Sequence, residues 1–332
     1  MLSYFVRRIL VMIPTLLVIS LVVFVIIQLP PGDYLETMIS ELRAQGENVD
    51  PARIEFLRRQ YGLDRPLIEQ YWLWLVGLLQ GDLGYSFEFE LPVADVIGSR
   101  FWFTAVLALS TTLLTYVIAF PIGIYSAVRP YSLGDYGATL FGYFGLAMPN
   151  FLLALILLYY ANKWFGLSIG GLMDPQYIDA PWSLGKVLSV INHLWIPMFV
   201  IGTAGTAAMI RRLRANMLDE MQKQYVVTAR AKGLSPLKTI LKYPLRLSLN
   251  HAIADIGMIL PAMISGSALV AIVMDLPTNG PLLLRSLQSQ DMYLAGAFLM
   301  FEAVLVVIGV FVSDVLLAML DPRIRLGGGA TK

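Results

Sequence analysis

No cysteine occurs in these 332 residues, which excludes disulfides, thiolate metal sites and cysteine nucleophiles. Histidine is nearly absent as well: His193 and His251 stand far apart in sequence, so a histidine-built zinc cluster is not expected. Charge is scarce, at 14% of residues against 57% hydrophobic, a balance far more apolar than a soluble globular chain carries. The chain reads as an integral membrane protein. The phosphate-cradling pattern G-x-x-x-x-G-K-[ST] is missing, and the terminal GGGATK lacks its spacing. If ATP drives this protein, another chain hydrolyses it. No Ser-His-Asp, paired-carboxylate or metal-spaced set emerges, so an enzyme reading has no constellation to stand on. No cofactor and no nucleic-acid partner is expected.

The charges that are present are unevenly placed. Arg7 and Arg8 precede the first apolar run without an acid, whereas Pro30 to Arg100 carries twelve acidic residues against six arginines. Arg211 to Arg246 carries nine Lys or Arg against Asp219 and Glu220, and the tail after Leu320 is again basic. Cytoplasmic loops are the basic ones. The N-terminus, the loop at 211–250 and the tail at 321–332 are therefore expected inside, and 30–100 outside as a small extracytoplasmic subdomain.

Six spans satisfy these asymmetries. Ile9 to Leu29 is long enough to cross roughly 30 Å of hydrocarbon and ends without a small-residue cleavage site, so a retained first span is expected within 1–29. The outer segment holds expected helices at Pro51 to Tyr61 and Pro66 to Leu79, then a turn at Gly81-Asp82-Leu83-Gly84. Five further spans fill 101–320: Phe101 to Val128 with Pro121, Ala138 to Ala161 interrupted at Pro149-Asn150, Leu188 to Ile210 with Pro197, Ile253 to Met274 with Pro261, and Leu294 to Leu317. The expected fold class is all-α.

The basic stretch Arg211 to Arg246 is the longest non-hydrophobic run between two hydrophobic regions. Leu213, Met217, Met221, Tyr225 and Thr228 recur at helical spacing, which predicts one amphipathic helix. Gly233 is placed to end it in the left-handed conformation, and Ser235-Pro236 to open another. Such a pair either inserts into a groove on a soluble partner or rests on anionic headgroups.

Within the spans, proline frees a carbonyl and small residues let helices approach closely. The fifth span combines Pro261 with Ser265, Gly266 and Ser267, a run suited either to a pathway wall or to helix packing. Glu302 lies inside the sixth span, where an ionised carboxylate costs roughly 2.5 to 3.5 kcal/mol on insertion scales. A contact to a substrate ammonium, a proton relay, a buried pairing and a protonated acid all remain open for it.

Tyr225-Val226, followed by Thr228-Ala229-Arg230-Ala231-Lys232-Gly233-Leu234, resembles the EAA-type coupling loop in the peptide branch of bacterial ABC importer permeases. Tyr4 to Leu10 with Pro14, Pro31-Gly32-Asp33, Tyr61-Gly62-Leu63-Asp64, Gly81-Asp82-Leu83-Gly84 with Ser86, and Asp321-Pro322-Arg323-Ile324-Arg325 resemble the first permease subunit of the dipeptide/oligopeptide (peptide/opine/nickel) family, in order and across nearly the whole chain. The resemblance implies a type I importer permease of the bacterial inner membrane with six transmembrane helices. It implies a second homologous permease, two ATP-binding subunits that use ATP and Mg, and an extracytoplasmic substrate-binding protein. It also implies that Tyr225 and Thr228 to Leu234 contact an ATPase subunit. Two departures bear on the solute. Val227 stands at the glutamate of the general pattern, and Val270 to Gly280 lacks the glutamate and the Pro-Gly-x-Gly usual there. An oligosaccharide, opine or other glycoside therefore stays open beside a peptide, as do a self-contained channel or ion-coupled carrier.

Overall fold

A computed structural model describes residues 2–29, 35–36, 39, 55, 59, 64–166, 170–178, 180–250, 252–254 and 267–320. Outside the described residues lie the motifs at 31–33 and 61–63, almost all of the expected helix at 51–61, His251, and the tail at 321–332. So does most of the expected fifth span, including Asp255, Pro261, Ser265 and Gly266.

Apolar runs become helices because each satisfies its backbone polar groups internally, which hydrocarbon demands. They are α1 (Leu2–Gln28), α2 (Leu67–Gln80), α3 (Val93–Val128), α4 (Leu133–Ala147), α5 (Asn150–Phe165), α6 (Leu184–Met221), α7 (Gln224–Ala231), α8 (Pro236–Lys242), α9 (Ala268–Val273), α10 (Asn279–Gln288) and α11 (Met292–Leu320). A two-stranded antiparallel hairpin, β1 (Tyr85–Ser86) and β2 (Leu91–Pro92), precedes α3 with Tyr85 opposite Pro92 and Ser86 opposite Leu91. Among the described residues, α1, α3, α6 and α11 are long and apolar enough to cross a bilayer, and α4 with α5 forms a further apolar pair bent by 97°. Leu10, Val18, Leu113 and Val117 are exposed on α1 and α3, a surface that hydrocarbon accepts and water opposes.

The chain divides into two compact units, one of Phe103–Pro277 with Ile308–Lys332 and one of Leu2–Trp102 with Thr278–Val307. In the first, Leu107, Ala154, Leu172, Ile196, Val200, Val270 and Met274 form one core, and Ala127, Leu213 and Met217 another. Gly171 donates its N–H to the Met274 carbonyl at 2.7 Å, which ties the loop after α5 to the end of α9. Helices α4 and α6 meet closely: a Cβ on Gly145 would stand 3.1 Å from Thr203 Cγ2 and 3.2 Å from Ala207 Cβ. In the second unit, Val23 and Phe24 of α1 pack against Trp74 of α2, and the Ser20 and Tyr71 hydroxyls lie 2.9 Å apart. Helix α2 closes on Gly81, whose φ of 82° is left-handed, matching the expected turn.

Three spans and one helix differ from expectation; the third, expected over Ala138 to Ala161, is the bent pair α4 and α5 from Leu133 to Phe165. The second span begins eight residues early, at Val93, because Val93, Val96 and Ile97 are buried and hold its first turns outside the apolar run. The fourth runs from Leu184 to Met221, started by Ser183, whose Oγ accepts the Lys186 N–H at 3.2 Å. The last difference is a correction. Leu213, Met217 and Met221 belong to α6, and the chain breaks at Gln222-Lys223 before α7 carries Tyr225 and Thr228. The stripe read as one amphipathic helix is split between two, and its first half already has a neighbour. Leu213 and Met217 are 2% and 0% exposed, packed with Ala127, Phe120 and Ile124 of α3.

Candidate functional site

The residues that resemble a coupling loop form α7, a tight reversal and α8. Val226 and Ala229 turn inward, at 0% and 4% exposure, while Tyr225, Val227, Thr228, Arg230, Ala231 and Lys232 are exposed. Bulk at Ala229 therefore acts on helix packing, and bulk at Ala231 acts on whatever approaches from outside. Gly233 adopts φ 79° and ends α7. Its N–H bonds to the Arg230 carbonyl at 2.9 Å, and the Leu234 N–H to the Ala229 carbonyl at 3.2 Å. That paired closure satisfies two carbonyls the helix end leaves unpaired. A Cβ at Gly233 would meet no atom within 4 Å, so backbone conformation, and not crowding, makes glycine the fitting residue.

Pro236 opens α8 directly after Ser235, as the sequence predicts. Thr239 is buried and donates its hydroxyl to the Ser235 carbonyl at 3.0 Å. Ile240 reaches the cluster around Leu213 and Met217, and the Tyr225 and Tyr243 rings lie 6.0 Å apart. Ile240 of α8 thus ties the pair to the ends of α3 and α6, Val226 and Ala229 are buried, and the remaining residues of α7 are exposed. Of the pathway candidates, Ser267 is buried at the start of α9, and Glu302 is half-buried in α11 and has a partner. Pro261, Ser265 and Gly266 lie outside the described residues.

Three polar clusters escaped the sequence reading. Where α4 begins, Asp135 is bound by both arms of Arg214 from α6, Nε to Oδ1 at 2.7 Å and the guanidinium NH2 to Oδ2 at 2.8 Å. Between α6 and the loop before it, Ser189 Oγ of α6 donates to Asp174 Oδ2 at 2.6 Å and accepts the Asp174 N–H at 2.9 Å. His193 joins them through Nε2, 3.8 Å from Asp174 Oδ1, while its Nδ1 is 2.9 Å from the Ser189 backbone carbonyl, so the group ties the loop at Asp174 to α6 as a clamp. In the second unit, Asp291 is fully buried ahead of α11. Its Oδ2 accepts from Ser86 Oγ at 2.6 Å and the Glu88 N–H at 3.2 Å, and its Oδ1 from the Leu294 N–H at 3.1 Å. Burial pushes its carboxyl above the ordinary range, against the pull of these donors. Arg285 of α10 closes the cluster from the solvent side, 2.7 Å from Glu88. Each cluster joins residues distant along the chain, apart from the loop clamp, whose only signal was an acid, a serine and a histidine within one short segment.

Residues 119–326 match the model of the binding-protein-dependent transport system inner membrane component family, and residues 1–108 match that of the N-terminal part of the same type of membrane component. The oligopeptide transport system permease protein AppB of Bacillus subtilis is 36% identical over 329 residues, covering 98% of this chain and 100% of that protein. The glutathione transport system permease protein GsiC of Pectobacterium atrosepticum is 33% identical over 326 residues, with 98% and 99% covered. The dipeptide transport system permease protein DppB of Escherichia coli is 27% identical over 341 residues, again with 98% and 99% covered.

Proposed function

This chain belongs to the family of binding-protein-dependent transport system inner membrane components, and we propose that it is a permease subunit of an ATP-driven importer that takes up peptides. The peptide reading is supported by relatives of nearly full-length coverage whose names specify oligopeptide, dipeptide and glutathione transport. Glycosides and opines are not favoured by that set. The observation that carries the mechanism is the form of the α7–α8 pair: Val226 and Ala229 are buried while the rest of α7 is exposed, Ile240 of α8 joins the cluster built by α3 and α6, and Gly233 gives α7 a defined end. An exposed short helix held this way suits a groove on a soluble ATPase subunit.

In the full proposal the chain spans the inner membrane six times with both ends cytoplasmic and 30–100 outside. It pairs with a second, homologous permease, two ATP-binding subunits that use ATP and Mg, and an outer binding protein. Ser265, Gly266, Ser267 and Pro261 border the pathway, with Glu302 a further candidate. Alternating access needs a differential contact in each state, which the ATPases supply through α7. The test is uptake of labelled alanine oligopeptides of two to five residues into proteoliposomes. Accumulation is expected only with ATP, both ATPase subunits and the binding protein present. Equal uptake by this chain alone would make it a self-contained carrier and sink the reading.

A further inference from the structure

The connection between α3 and α4 is held more firmly than a surface turn requires. Asp135, in the first turn of α4, has a side chain only 3% exposed, and its partner Arg214 is 26% exposed. Besides the two bonds from Arg214, Asp135 Oδ2 accepts the Tyr131 N–H at 2.8 Å, and the Asp135 N–H is capped by Ser132 Oγ at 3.2 Å. Tyr131 itself sits at φ 62°, a conformation side chains other than glycine seldom take. One carboxylate thus fixes the turn's shape and anchors it to α6. A two-pronged guanidinium contact fixes orientation as well as distance, which a lysine does not do.

The anchor's place along α6 gives it meaning. Arg214 lies one residue from Leu213, which packs on α3, and seven residues before Met221, where α6 ends and the chain turns into α7. Any rotation imposed on α7 reaches this part of α6 first. On the far side of α4, the chain breaks at Met148-Pro149 and turns by 97° into α5. Helix α5 sends Ala154, Leu153 and Leu157 into the core formed with Leu172, Val200, Val270 and Met274.

We infer that Asp135 and Arg214 are positioning residues for coupling: their clasp makes α4 travel with α6 as one body. Helix α4 is then a second output of the coupling helices, alongside α6 itself. The close approach of Gly145 to Ala207 serves the same end, since backbones this near slide past one another poorly.

The inference rests on the permease reading, and the two fail differently. If that reading is wrong, the unmodified complex itself shows no ATPase stimulation and no peptide uptake; if the clasp is idle, the unmodified complex works and the variants work equally well. The variants are Asp135→Asn and Arg214→Lys, purified in the assembled complex and read by ATPase activity with a binding protein saturated with a peptone digest. Basal ATPase within twofold of the unmodified complex and a stimulation reduced about tenfold are expected. Stimulation and uptake unchanged in both variants would overturn the inference. A second experiment stands even where Asp135→Asn assembles badly. The chain lacks cysteine, so Gly145→Cys with Ala207→Cys places one thiol pair between α4 and α6. Helices that move as one tolerate the oxidised pair, with uptake within twofold of the reduced form. Loss of uptake on oxidation, restored by reductant, would show that α4 must slide along α6 and would overturn the clasp.

Discussion

Ser86 donates its hydroxyl to Asp291 across 2.6 Å, although 205 positions separate them in sequence. That bond pins the β1–β2 hairpin to the entrance of α11, and Asp291 at the same time accepts the Leu294 N–H as the helix cap. Removing the carboxylate would leave buried donors unmatched. Asp291→Ala is expected to cost about 2 to 3 kcal/mol of stability, read as a lowered unfolding midpoint in detergent. A midpoint unchanged from wild type would mean that the cluster is replaced by water without loss.

The same residue sets a pH dependence. Burial raises the folded pKa of Asp291 above its unfolded value, so its contribution to stability is fully present below the unfolded pKa and is lost as pH rises through the folded one. Thermal unfolding followed from pH 4.5 to 8 should show a falling contribution from this group with rising pH. In Asp291→Asn that part of the slope should vanish, and an identical slope in the two proteins would refute the assignment.

Gly84 is constrained twice. Its φ is 83°, and a Cβ there would fall 2.4 Å from Tyr293 Cδ1. Gly84→Ala must displace the ring as well as adopt a left-handed backbone, so it is expected to lower stability by more than the ~1 to 2 kcal/mol of the conformation alone. Gly81→Ala, at φ 82° with no atom near the added carbon, is the control and should cost only the conformational part.

Gly233→Val tests the closure of α7. The left-handed φ disfavours any side chain and a β-branched one most. The complex is expected to insert and assemble, with ATP turnover that no longer responds to loaded binding protein. Wild-type ATPase stimulation together with wild-type peptide uptake would remove the turn from the mechanism.

Orientation is tested by single cysteines in this cysteine-free chain. An impermeant thiol reagent applied to intact cells is expected to label Gln45→Cys and to spare Gln222→Cys. The reverse pattern would invert the topology.

Local signals were legible because they depend on few neighbours. Gly233 and Pro236 announced a helix end and a helix start, and both stand where the sequence put them. Gly81 did the same for α2. Periodicity was legible only as periodicity: the spacing of Leu213 and Met217 shows that one helix face is buried, but not against what, and the chain's own α3 took the place assigned to a partner. The break at Gln222-Lys223 carried no glycine or proline to mark it. Asp135 and Arg214 were beyond reach for another reason. They are 79 positions apart, and either residue alone reads as an interfacial charge.

One unbroken helix leads from Leu184 to the turn before α7, and its 38 residues extend to roughly 57 Å at 1.5 Å per residue, well past the thickness of hydrocarbon. A rod of this kind conserves angle as well as length. Adding or deleting a single residue between Arg214 and Met221 would turn everything beyond it by roughly 100° about the axis. The exposed face of α7 would then be turned by the same angle relative to the rest of α6. The count of residues in those two turns is therefore a phase setting, separate from the packing that buries Met217 within them.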